Sequence, residues 1–248
     1  MVPYTPIVIS PPTRCRVAEL MDSPSIGQAE HLAALQGLAR LNGLSMSGRS
    51  LWREINAFVR LHKTGISVSS PLTILDVATG SGDIPQKLAR WASRSALPIA
   101  WSVCDKSPRA VAQATEALAQ TGHTCEGFVC DLLADRLPGQ FDIVICSLFL
   151  HHLDPPDVAR ALSAMAGATT GRLLINDLRR TRRGLCLAHV MPRLCTRSPV
   201  VWFDAVASVR AAYTPAELLE CAHNAGLASA LVEPDWPQRM LLSWSPLP

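Results

Sequence analysis

Residues Leu72–Asp83, LTILDVATGSGD, join a short apolar run behind Pro71 to a glycine-rich turn. An apolar run of this length bounded by a turn reads as a buried strand, and the turn as the ligand-binding loop that the strand feeds. Gly80 and Gly82 let the backbone bend sharply and approach a ligand with no Cβ in the way, and the helical pattern that follows aims its N-terminus at that ligand. A nucleotide-type cofactor is the first expectation. A dinucleotide fingerprint needs G-x-G-x-x-G, whose third glycine packs helix on strand while free amides hold a pyrophosphate. Pro85 stands at that third position. Proline suits a first helical turn but removes one donor, which disfavours NAD or FAD.

The stretch instead resembles motif I of the class I S-adenosylmethionine (SAM) methyltransferases, an acid at the strand end followed by G-x-G. Asp76, Gly80 and Gly82 carry the resemblance, and Ala78 stands where that family usually has its first glycine. This form is similar to the ubiquinone/menaquinone and type 11 branches of the family. The bland alternative is a glycine turn in some other α/β protein.

At 248 residues the chain suits one α/β domain, with or without a small helical accessory, and can bury a large core. The charge balance, 23 Lys plus Arg against 20 Asp plus Glu, leaves only +3, so a polyanionic partner finds no support in net charge. The eight cysteines form no C-x-x-C pair, and Cys104 and Cys146 fall in strand-like runs, the usage of a reducing compartment. The start, MVPYTP, lacks a charged region followed by an apolar one, and no run approaches the ~18 apolar residues of a membrane span. A cytoplasmic protein is expected.

Residues 1–25, rich in proline and serine around Val17–Met21, read as an extended arm with one helical turn. Leu32, Leu35 and Leu38, then Leu51, Ile55, Phe58 and Val59, recur at helical spacing on either side of Asn42-Gly43. In the methyltransferases resembled, such helices fold over the cofactor mouth; the alternative is that they simply pack on the sheet. We therefore divide the chain into an arm and helical lid over 1–66 and a SAM-binding domain over 67–248.

Beyond Pro71, strand-like and helical patterns alternate, as in a parallel sheet covered on both faces. Strands are expected near 72–77, 99–104, 125–130, 141–147, 171–177, 227–233 and 239–245. Ser107-Pro108, Asp154-Pro155 and the capping box Thr214-Pro-Ala-Glu217 open helices. Residues 178–213 break the alternation and are expected to form a cap insert. The resemblance implies a Rossmann-like, seven-stranded, mostly parallel sheet whose last strand is antiparallel.

Ligands of open α/β sheets lie beyond the carboxyl ends of the strands. Acids stand at three such junctions: Asp76, Asp105 and Asp131. Asp105, with Lys106 beside it, can accept both hydrogen bonds of a ribose diol, the motif II position of the resembled family. The resemblance places Asp131 at the adenine amino group and the backbone amide of Leu132 against the ring.

The fourth strand runs into Ser147-Leu-Phe-Leu-His-His-Leu-Asp-Pro155, which looks like the family's motif IV. Ser147 and Leu148 should then line the methionine moiety, with Phe149, His151 and His152 toward the acceptor. Methyl transfer is an in-line displacement, and alignment supplies most of its rate. Where a hydroxyl must first lose a proton, His151 or His152 suits as base; the alternative is that both only cap and line the loop. No metal is expected, because adjacent residues of an extended segment point apart.

After the fifth strand, Asn176, Asp177 and Arg179 could meet the acceptor, with Arg179 or Arg180 gripping a carboxylate or phenolate, although most of the arginines at 179, 180, 182 and 183 read as solvated. His189, Trp202, Phe203, Arg210 and Tyr213 complete the candidate lid. Residues 176–180 (NDLRR) and 30–42 look similar to bacterial methyltransferases of phenolic and polyketide secondary metabolism, which implies O-methylation of a small-molecule hydroxyl. Carbon methylation of a quinone-like ring is the alternative, although the quinone enzymes' Arg-Asn pair is replaced by His151-His152. A nucleic-acid methyltransferase, suggested by the arginines, lacks an RNA-binding module and a base-flipping motif. A non-catalytic SAM-binding subunit stays open, as does the oligomeric state.

Overall fold

The computed structural model describes residues 12–22, 26–27, 30, 33–34, 37, 41, 47–62, 66–68 and 70–246. Leu32, Leu35, Leu38 and the Asn42-Gly43 break of the first expected amphipathic helix lie outside the described residues. The second is α1, Ser47–His62. The strands follow as β1 Leu72–Val77, β2 Ile99–Asp105, β3 Cys125–Val129, β4 Phe141–Ser147, β5 Thr169–Leu178, β6 Leu231–Asp235 and β7 Arg239–Trp244. Between them run α2 Asp83–Arg94, α3 Pro108–Ala119, α4 Pro155–Gly167, α5 Arg182–Cys195, α6 Pro199–Ala211 and α7 Pro215–Asn224.

The sheet has seven strands in the order β3-β2-β1-β4-β5-β7-β6, with β7 antiparallel to both neighbours. The order reverses between β1 and β4, which leaves a crevice over their carboxyl ends. Alternate strand residues build two cores, because successive side chains of a strand point to opposite faces. Ile74, Ile143, Ile145 and Leu174 pack with Leu51, Ile55 and Phe58 of α1 and with Leu88 and Leu118. Leu75, Val144, Leu173 and Ile175 pack with Val158, Leu162, Leu218 and Ala222. Helix α1 thus shares the sheet's core, the plainer of the two expectations for it.

The expected strands fall within a few residues of those observed, apart from the sixth, which begins at Leu231 after a turn past Gly226 instead of at 227. Thr214 and Glu217 form the expected capping box, and Ser107 caps α3 through Ala110. Asp154 departs from expectation: it stands at the N-cap of α4, yet its carboxylate makes no capping bond and pairs with Arg14 and Arg16. The segment 178–213 holds the helices α5 and α6, packed on each other.

Candidate active site

The glycine loop leaves β1 through Ala78, Gly80 and Gly82, all at positive φ (54°, 53° and 78°). Gly82 precedes α2, and a Cβ there would meet Ala114 Cα at 2.7 Å, so no side chain fits. Above Gly80 the space is open, with nothing within 4 Å of a built Cβ. Asp76 is buried and accepts the Thr79 hydroxyl at 2.7 Å; burial pushes its carboxyl up to about 7, with Asp105 nearby acting in the same sense. Asp105 Oδ2 accepts the Gly80 amide at 3.1 Å and Oδ1 the Ser107 amide at 2.9 Å. One carboxylate therefore ties the end of β2 to the loop of β1. Asp131 is exposed and accepts the Leu133 amide, and Leu132 is buried. Ser147 Oγ, at the end of β4, is buried with no hydrogen-bond partner among the described residues.

Past β4 the chain turns through a 3-10 segment, Leu150–His152. The two histidine rings do not point apart as in an extended chain: their centroids lie 4.2 Å from each other. His151 is buried, and its Nδ1 lies 2.7 Å from Asp177 Oδ1 of β5, while its backbone N–H donates to Asp177 Oδ2 at 3.2 Å. Burial works against the imidazolium, but the facing Asp177 outweighs it and raises the His151 pKa; the same contact holds Asp177 below the carboxylate range despite its burial. His152 is pushed the other way, down to about 4, by desolvation and by the neighbouring His151 ring.

An N-terminal strap, residues 12–22, crosses this turn. Arg14 donates to the carbonyls of Ala211 and Leu153, both at 2.7 Å, and lies 4.1 Å over the Tyr213 ring. Arg16 grips Asp154 with contacts of 2.6 and 3.1 Å and reaches the His152 carbonyl. Asp204 of α6 accepts the Leu20 and Met21 amides at 2.7 and 3.1 Å. Between these anchors Glu19 is delivered to the histidines: its Oε1 lies 4.0 Å from His151 Nε2 and accepts the Ser208 hydroxyl. The crevice thus carries a glycine loop on one side and a strap-covered His–Asp pair on the other.

Residues 74–170 match the family described as "Methyltransferase domain". Curated relatives agree: the chain is 29% identical over 183 residues to a ubiquinone biosynthesis O-methyltransferase of Xanthomonas euvesicatoria, covering 68% of this chain and 70% of the relative. It is 31% identical over 163 residues to the protein of that name from Methylococcus capsulatus, covering 64% of each. Residues 74–170 are a methyltransferase domain of the SAM-dependent class. Solved structures share the fold: an O-methyltransferase family 2 protein from Planctomyces limnophilus in complex with apigenin (TM-score 0.57, 21% identity, 91% of this chain and 63% of that one). Magnesium protoporphyrin IX methyltransferase from Synechocystis with bound SAH gives a TM-score of 0.51 at 16% identity, covering 89% of this chain and 88% of that one. The chain thus spans about two thirds of the length of several of the proteins it matches.

The loop of this methyltransferase fits SAM. The open space over Gly80 admits a ligand against the backbone, and Ser147, at the carboxyl end of β4, holds a buried Oγ with no partner among the described residues. Asp105 keeps lone pairs beyond its two amide bonds for a ribose diol. When bound, SAM supplies a methyl group on a cationic sulfur, which needs alignment more than activation.

On the acceptor side the structure redistributes the expected residues. Asp177 joins His151, but Asn176 points to the opposite face, as strand neighbours must. There its amide donates to Ser50 and Asp235 and accepts from Arg239, a buried network beneath α1. Arg180, named above with Arg179 as a possible grip on the acceptor, is buried and bonds the carbonyls of Pro12 and Ala212 and the Glu217 carboxylate. Arg179 is half-buried, and its Nε has no partner among the described residues. Tyr213 lies under the strap with its hydroxyl on the Leu153 carbonyl. His189 is exposed on α5 and Trp202 bonds the Thr196 carbonyl, so neither joins the histidine pair. Lys106 is exposed beside Asp105, and Phe149 packs on the core. Sequence reasoning missed Glu19, Arg14, Arg16, Asp204 and Ser208. The only local signal was the short apolar segment at 17–21, and the hydrogen-bond partners of the strap lie 136 to 197 positions away.

Proposed function

We propose that the enzyme methylates a hydroxyl oxygen of a small molecule, most simply a phenolic or polyketide-type acceptor. The observation that carries this reading is the His151–Asp177 pair, buried beside the carboxyl end of β4 and covered by the strap that brings in Glu19. A hydroxyl is a poor nucleophile until it gives up its proton, so polar groups that receive that hydroxyl have work to do at this point. Asp177 fixes the imidazole through Nδ1 and leaves Nε2 facing Glu19 across a 4.0 Å gap. Such a gap is wide enough for one oxygen atom to meet both. The names of the curated relatives and the apigenin complex support an oxygen acceptor on a small molecule.

The strap argues against a nucleic-acid track. Arg14, Arg16 and Arg180 are engaged with carbonyls and carboxylates that hold the chain together, which leaves them unsuited to read phosphates. No described helix is long and apolar enough to cross a membrane.

The test supplies methyl-labelled SAM with separate pools of phenolic metabolites, total RNA and protein. Label in the small-molecule pool, with an acid-stable O-linked methyl by mass spectrometry, is the expected result. A C-linked methyl would replace oxygen by ring carbon as the acceptor atom. Label in RNA or protein would overturn the reading.

A further inference from the structure

We propose that Glu19, His151 and His152 bind one divalent transition-metal ion of the zinc class. Each offers one ligand atom, and the three atoms lie within 4.8 Å of one another. Zinc sits about 2.0–2.2 Å from nitrogen and carboxylate oxygen, so tetrahedral ligands stand roughly 3.4 Å apart. The observed 4.0 Å between His151 Nε2 and Glu19 Oε1 needs only small side-chain rotations to close. Two imidazoles and one carboxylate are a three-ligand set that leaves a fourth position open. Magnesium and calcium are poorly served, since they require more oxygens than Glu19 provides.

The surroundings point the same way. A ligating histidine generally donates its other N–H to a carboxylate, which fixes tautomer and ring orientation. His151 does this toward Asp177 at 2.7 Å, so its Nε2 lone pair faces the cluster. Glu19 is steadied by the Ser208 hydroxyl, and the backbone after it by Asp204. The 3-10 turn then places the two rings side by side, the arrangement that an extended chain would have prevented. Two of the ligands come from the loop after β4 and the third from the strap, so the ion would also pin the strap across the site. The ion would fill the same gap that, on the function proposed above, the acceptor oxygen enters, so with the ion bound that oxygen would take the open fourth position; metal binding itself does not depend on that reading.

The test uses the full chain, stripped with dipicolinate and titrated with Co2+ while visible absorption is followed. One equivalent should bind with the strong d–d bands of a four- or five-coordinate nitrogen and oxygen site, and Zn2+ should displace it. Glu19→Gln and His152→Gln should each weaken binding by about tenfold or more, while thermal melts report that both remain folded. Saturation without stoichiometric uptake, a thiolate charge-transfer band marking cysteine ligation, or unchanged affinity in either variant would overturn the proposal. Cobalt binding as described with no labelled small molecule would remove the functional reading and leave the metal site standing. Labelling that persists in stripped protein that takes up no cobalt would do the reverse.

Discussion

Asp76 is 2% exposed, and its carboxyl titrates near 7 instead of the 3.8 it has in the unfolded chain. Between those values the folded chain holds a proton that the unfolded chain has lost, so stability falls as pH rises and the full cost is present above about 7. That difference corresponds to on the order of 4 kcal/mol. Asp76→Asn mimics the protonated acid and should be more stable than the wild type at pH 8 without SAM, with the difference vanishing near pH 4. Urea midpoints at both values check this, and a difference independent of pH would refute it. The two glycines nearby separate fold from ligand. At Gly82, positive φ and the 2.7 Å approach to Ala114 combine, so Gly82→Ala should destabilise by roughly 2–4 kcal/mol. At Gly80 only the conformational cost of about 1–2 kcal/mol applies, because its Cβ would enter open space. Gly80→Ala should therefore keep most of the stability and lose SAM affinity. Chemical denaturation and calorimetric SAM titration of the pair measure the two effects apart.

The strap is an element with almost no secondary structure, held by side chains that reach into it from elsewhere. Beyond the 3-10 turn Leu20–Asp22, its order rests on Arg14, Arg16, Arg180 and Asp204. Hydrogen bonds to a charged acceptor contribute about 1.5–3 kcal/mol each, and Asp204 accepts two amides while itself almost fully buried. Asp204→Ala should thus release the strap locally while the sheet stays folded. Trypsin should then cut at Arg14 or Arg16 at least ~10-fold faster, with little change in the far-UV spectrum. Equal cutting rates would place the latch elsewhere. Such an element is nearly invisible in the sequence, because its stability comes from partners far along the chain and not from periodicity or capping. The glycine loop, by contrast, was legible, since strand, turn and helix start lie within a dozen consecutive residues and each obeys a local rule. Asn176 shows the limit of junction reasoning. Its place at a strand end was correctly expected, but the face it points to follows from strand parity counted against Asp177.

At the scale of the whole molecule, the alternation of strands and helices was legible because a parallel sheet covered on both faces imposes long apolar runs separated by helical periods, whereas the strand order came only with the structure. The placement of helices α5 and α6 was not legible either, since they carry no pattern that says which way they fold. The parts meet in one thermodynamic consequence. The cofactor loop is assembled from β1, β2 and β4, so SAM binds only when the sheet is complete and must stabilise the whole fold by mass action. At a hundred times its Kd, SAM should contribute about 2.7 kcal/mol, which for a chain of this size is a rise in Tm of roughly 5–10 °C. Asp105→Ala removes the carboxylate that accepts the Gly80 and Ser107 amides and would face the ribose, so the variant should melt somewhat lower and lose most of that rise. Scanning calorimetry with and without SAM measures both effects. An Asp105→Ala protein that still gains the full shift would mean that the ribose is held elsewhere, and that the bond to Gly80 shapes the loop without serving the cofactor.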